Sequence, residues 1–159
     1  MTSIREDYML RMIQMMGEVI RAALKLRKTG HILEADQTLT DALLTIMPDH
    51  ADLVEIVDEK TAVTLLANSE LIETYIELLL ERAEIKISLG QAAEAEAIQA
   101  RALRMFIRSI QHEPLISPNG QLIWGRLTGL ELHILLNEDE IRDWNGLEQA
   151  IQKGLILSP

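Results

Sequence analysis

The sequence predicts an all-α protein of seven or eight helices paired as antiparallel hairpins. Three observations carry that reading. Apolar residues recur at three- and four-residue steps along nearly the whole chain, the period of one helix face. Aromatics make up only 3% of the residues, and Val and Ile rarely alternate with polar neighbours, so strands are hard to place. Gly30 and Gly90 each stand between two long helical patterns, where a left-handed turn can close a hairpin. At 159 residues the chain fits one domain. A chain of this size buries roughly 68–70% of the surface its unfolded form exposes, so it needs no disulfide or metal staple.

The first helix is expected to open at Ser3, because Ser3, Ile4, Arg5 and Glu6 make a capping box in which hydroxyl and carboxylate each satisfy an orphan amide. It runs to about Lys28, with Lys25, Arg27 and Lys28 placed against the negative end of the helix dipole. A second helix covers about His31–Met47 and stops at Pro48, making residues 1–48 a first hairpin. Residues 49–68 read as one or two short helices carrying Leu53, Ile56, Val57, Val63, Leu65 and Leu66. A helix over Ser69–Leu89 closes at Gly90 and another covers Gln91–Gln111, so 69–111 forms a second hairpin. Pro114, Pro118 and Asn119–Gly120 mark a loop. The C-terminal pair, 121–157, begins with a helix over Gln121–Leu136. Its second helix is capped by Asn137, with Glu140 at the third helical position.

The two hairpin turns share a spacing. Gly30 is followed by Ala35, Leu39 and Ala42, with Pro48 six residues on; Gly90 is followed by Ala95, Gln99 and Ala102. Small residues at matching positions let antiparallel helices approach closely, and Ala23 and Ala83 supply them in the preceding helices. This pattern resembles the second half of a tetratricopeptide repeat, whose unit is about 34 residues. The resemblance covers about half the chain and implies a right-handed α-α array of helix pairs. It departs from that pattern at Gln99, at Pro48 and over 49–68. A weaker third copy places Ala150 in register. The runs Ile4–Ile13 and Leu79–Glu84 are similar to those of a family of small bacterial proteins of unknown function with tetratricopeptide-like helices. That likeness implies an all-helical cytoplasmic protein and assigns no activity.

Charge and composition exclude several roles. The net charge is −10, but it is unevenly placed. Residues 1–30 hold six Lys/Arg against three acids, 31–100 hold three against fifteen, and 101–159 hold six against seven. A basic opening helix thus precedes a strongly acidic middle, which phosphate backbones repel, so nucleic acid is not an expected partner. The absence of Cys excludes thiolate metal sites and Cys nucleophiles and suits a reducing cytoplasm. The opening MTSIREDYML does not read as a secretory signal. No apolar stretch approaches the ~18 residues of a membrane span; the longest candidate, around 130–136, contains His133. None of the eight glycines sits in a phosphate-loop run, and His31, His50, His112 and His133 lack helical metal-pair spacing. No catalytic residue, metal or cofactor is therefore expected. His133, on an otherwise apolar helix, reads as an interior imidazole.

Four features remain as candidate surfaces or packing sites. Tyr8, Met9, Met12, Ile13, Met15, Met16, Val19, Ile20, Ala23 and Leu24 give the first helix an apolar arc too wide for one neighbour. Either the helix packs on two neighbours, or Met12, Met16 and Ile20 anchor a second copy in a homodimer. Arg101, Arg104 and Arg108 share one face of their helix; they either pair with acids of an adjacent helix, such as Glu77, Glu81 or Glu84, or form an anion or acidic-peptide site. Glu70, Glu73, Glu77, Glu81 and Glu84 line one face of the helix before Gly90 and read as solvated, with a basic-peptide groove as the sharper alternative. Gly125 and Gly129 read as packing positions beneath a close neighbour. The expected function is a protein–protein interaction module, a small repeat-like adaptor that self-associates. The alternative is a small-molecule-binding regulatory or enzymatic domain with a pocket between helix pairs.

Overall fold

The computed structural model describes residues 4–46 and 51–154. Among them run nine helices and no strand: α1 (Ile4–Lys28), α2 (Ile32–Ile46), α3 (Ala51–Ile56), α4 (Glu59–Leu66), α5 (Ser69–Ser88), α6 (Ala92–His112), α7 (Pro118–Leu127), α8 (Leu132–Leu135) and α9 (Glu138–Gln152). The fold is all-α, as the periodicity predicts. The expected cap at Ser3 and stop at Pro48 lie outside the described residues.

Both hairpins close in the same way. After α1, the Gly30 amide donates to Arg27 O at 3.1 Å and the His31 amide to Leu26 O at 2.8 Å. After α5, the Gly90 amide donates to Ile87 O at 3.0 Å and the Gln91 amide to Lys86 O at 2.9 Å. This paired closure satisfies the orphan carbonyls of the helix end and requires a left-handed residue at the turn. Gly30 has φ +86° and Gly90 φ +75°, angles that side chains resist. Just beyond each turn, Ala35 and Ala95 are buried, as are Ala23 and Ala83 opposite, so the paired backbones pack closely.

α5 is the centre of the molecule. It packs on α1, α2, α4, α6 and α7, and its buried residues come from every side, among them Leu71, Tyr75, Ile76, Leu78, Leu79 and Ile85. α1 rests on both α2 and α5, against which Met12, Met16, Ile20 and Ala23 of its apolar arc are buried. α4 covers one flank of α6; α8 and α9 cover another. The chain's single Phe and both Trp meet there: Trp124 and Trp144 stack at 4.5 Å, and Phe106 lies 5.8 and 6.2 Å from them. Three aromatics from α6, α7 and α9 thus hold the C-terminal helices to the second hairpin.

The helix expected over 121–136 is two helices. Ser117 caps α7, its hydroxyl accepting from the Gly120 amide at 2.9 Å, and Pro118 takes the first turn, where its missing N–H costs nothing. α7 ends at Leu127, and Thr128 donates to Gly125 O at 2.9 Å. Two glycines, each about 1 kcal/mol worse than Ala in a helix, favour that break. Among the described residues the close neighbour expected at Gly125 and Gly129 is missing: a Cβ on Gly125 meets nothing within 4 Å, and one on Gly129 meets only Arg126 O at 3.4 Å. Asn137 and Glu140 form the predicted capping box of α9, with both bonds at 2.9 Å.

Candidate functional site

Met12, Met16 and Ile20 belong to the chain's own core, at 7%, 1% and 9% exposure. The expectation that they anchor a second copy is corrected: they point inward, where α1 meets α2 and α5. What α1 leaves outside is a different set. Ile4 is 90% exposed, Tyr8 52% and Met15 43%. At 100° per residue these three fall on one narrow face with Arg11, Glu18 and Ala22, all exposed. Neither Arg11 nor Glu18 has an ion-pair partner among the described residues.

The arginines of α6 divide. Arg101 donates to Val57 O at 3.1 Å and to Val54 O, closing the end of α3. Arg104 Nε donates to Glu59 Oε1 at 2.7 Å and lies 3.8 Å from Glu140 Oε2, bridging α4 and α9. Only Arg108 is exposed, and it donates within its own helix to Gln111 Oε1 at 2.8 Å. The acids that answer this row are Glu59 and Glu140, rather than the α5 acids the sequence suggested. No helical spacing could have shown this, since the partners lie 45 and 36 residues away.

The α5 acids have other roles, and two of them are not solvated. Glu81, 3% exposed, accepts from Arg27 Nε at 2.7 Å and from Nη2 at 3.4 Å, locking α1 to α5. That hydrogen bond raises the Arg27 guanidinium above its ordinary value, against the opposing effect of burial. Glu73, 7% exposed, receives the Ser117 hydroxyl at 2.8 Å from each oxygen. Burial pushes its carboxyl upward, the Ser117 bond opposes this, and the charges of Glu70 and Glu77 add to the rise. Glu77 accepts from Asn119 at 2.7 Å. Glu73 and Glu77 therefore fasten α5 to the start of α7. Gly120 makes room for this fastening: a Cβ there would lie 2.8 Å from Glu73 Oε1. On another flank, Glu55 of α3 takes Arg82 at 2.9 Å and the Tyr75 hydroxyl at 3.3 Å. Burial, with the Glu55 charge beside it, pushes the Tyr75 phenol up to about 12.

Two clefts stand out. One of about 500 Å³ lies between the start of α1 and the α4–α5 turn, lined by Arg5, Glu6, Met9, Leu10, Ala67, Asn68 and Glu70. The turn is tight enough to hold Ala67 at φ +61°. The other, about 290 Å³, lies between α4 and α6 and is lined by Lys60, Val63, Thr64, Arg108, Gln111 and His112. His133 is exposed rather than interior: α8 packs on α6 and buries Leu135, leaving His133 on its outer side. Among the described residues no group of three or more His, Asp or Glu is placed to hold a metal ion, and no helix is long and apolar enough to cross a membrane. No protein-family model, curated protein or solved structure matches the chain.

Proposed function

We propose that the protein is a self-associating interaction module, a repeat-like helical scaffold in which α1 pairs antiparallel with α1 of a second copy. The observation that carries this reading is the second apolar face of α1. A helix that already buries Met12, Met16, Ile20 and Ala23 also presents Ile4, Tyr8, Met15 and Ala22 outward. The face is self-complementary. A two-fold axis near Met15 sets Tyr8 of one copy over Ala22 of the other and brings Arg11 beside Glu18 twice, giving two unpaired charges of opposite sign their partners. The matched Gly30 and Gly90 closures and their buried alanines support a tetratricopeptide-like array, an architecture that binds rather than catalyses. A cytoplasmic location accords with the lack of Cys, and the acidic middle disfavours nucleic acid.

Light scattering with circular dichroism tests the reading. The wild type is expected to be dimeric, and Tyr8→Glu with Met15→Glu monomeric with unchanged helicity, because both side chains lie outside the core. A double variant with undiminished dimer content sinks the proposal. The small-molecule alternative draws support from the cleft of about 500 Å³, a volume within the range of ligand pockets, with apolar Met9 and Leu10 beside polar Arg5 and Asn68.

A further inference from the structure

We infer that the cleft between α4 and α6 is a binding site for a small oxyanion, namely phosphate or the phosphate group of a small monoester, held by Lys60, Arg108 and His112. This site is separate from the α1 face and does not depend on self-association. Three basic side chains from two helices line one depression in a protein of net charge −10. All three are exposed, while Val63, 2% exposed, contributes an apolar wall. Neither Lys60 nor His112 has an ion-pair partner among the described residues, and Arg108 donates one bond, to the neutral Gln111 amide. With its oxygen so engaged, Gln111 keeps its NH₂ donors.

Of the neighbouring acids, all but Asp143 are engaged elsewhere. Glu59 takes Arg104 at 2.7 Å and lies 3.7 Å from Arg101. Asp58 caps α4 through the Thr61 amide and hydroxyl, and Glu113 receives the Ser69 hydroxyl at 2.6 Å. Glu140 is held by the α9 capping box. Asp143 lines the adjoining depression, which Arg108 also borders, without forming an ion pair there. The cleft therefore offers an ammonium, a guanidinium, an imidazole and an amide donor with no carboxylate in its lining. Charge-assisted donors lining one depression suit a tetrahedral oxyanion, and Arg108 can engage it through two parallel bonds. A volume of about 290 Å³ leaves room beside the phosphate for a few further atoms along Val63 and Thr64.

The test is calorimetric titration of the full chain at low ionic strength with inorganic phosphate and, separately, with glycerol 3-phosphate, against chloride at matched ionic strength. One saturable site is expected, accompanied by a shift of the His112 ring signals in the NMR spectrum. Arg108→Gln and Lys60→Gln should each weaken binding about ten- to hundredfold, the loss expected for one charge-assisted contact. Their melting temperatures should match the wild type, since both side chains are exposed. Tighter binding of glycerol 3-phosphate would identify a monoester as the ligand; equal binding would identify the free ion. No saturable site, an unmoved His112, or full affinity in both variants would overturn the inference.

Discussion

Glu73 and Gly120 form a pair that neither residue announces in the sequence. The missing Cβ of Gly120 is the space that the Glu73 carboxylate occupies, so Gly120→Ala forces a buried group to move. That overpacking should cost about 1–3 kcal/mol in chemical denaturation, and a Glu73→Ala background should remove most of the cost. The charge has a pH signature. A carboxyl raised in the folded state contributes stability below its unfolded value and loses it as pH rises through the folded value. Glu73→Gln removes that loss, so its stability relative to wild type should increase from acid to neutral pH; a pH-independent difference would contradict the assignment. Arg27 and Glu81 behave differently, because each is the other's charged partner where Glu81 is buried and Arg27 partly so. Removing one, as in Arg27→Met, should cost about 3–5 kcal/mol, whereas Arg27→Met with Glu81→Leu should recover much of it. Helical spacing alone puts Glu73 and Glu81 on a face that reads as solvated. Both are buried; spacing reports which residues share a face and says nothing of what covers that face.

At the scale of elements, the two hairpins were the most legible part of the chain. Gly30 and Gly90 mark left-handed turns, and Ala35 and Ala95 mark close approach, all of them local signals. Ala35→Leu or Ala95→Leu should each destabilise by about 1–3 kcal/mol through overpacking. Gly30→Ala meets no atom within 4 Å, so its cost should come from the backbone alone, roughly 1–2 kcal/mol. A melt showing no loss for either Ala→Leu variant would argue against close hairpin packing. The region after α6 was less legible. Pro118 reads as a loop residue until Ser117 is seen to cap the helix that Pro118 begins, and the break after Leu127 depends on Gly125, Gly129 and Thr128 together. The arginine row was visible, but its partners were not: α4 and α9 reach α6 only in the folded molecule.

Across the whole molecule, α5 is packed by five other helices, whereas α1 is covered by α2 and α5 and keeps an outward stripe exposed. Hydrophobicity alone gave α1 one broad arc from Tyr8 to Leu24; burial divides that arc into a core face through Met12 and Met16 and an outer face through Tyr8 and Met15. The sequence could show the width of the arc but not the boundary within it, because the boundary is set by α2 and α5. Antiparallel self-pairing of the outer face makes a demand on charge that simple stickiness does not. Arg11→Glu should set like charges opposite Glu18 twice over, whereas Arg11→Glu with Glu18→Arg should restore complementarity with the signs exchanged. Sedimentation equilibrium of the three proteins, at low salt where such pairs are least screened, is the most direct test. The wild type is expected to be a dimer, Arg11→Glu to dimerise several-fold more weakly, and the double reversal to recover. A wild type that stays monomeric at high concentration, or a dimer indifferent to the single reversal, would contradict antiparallel self-pairing.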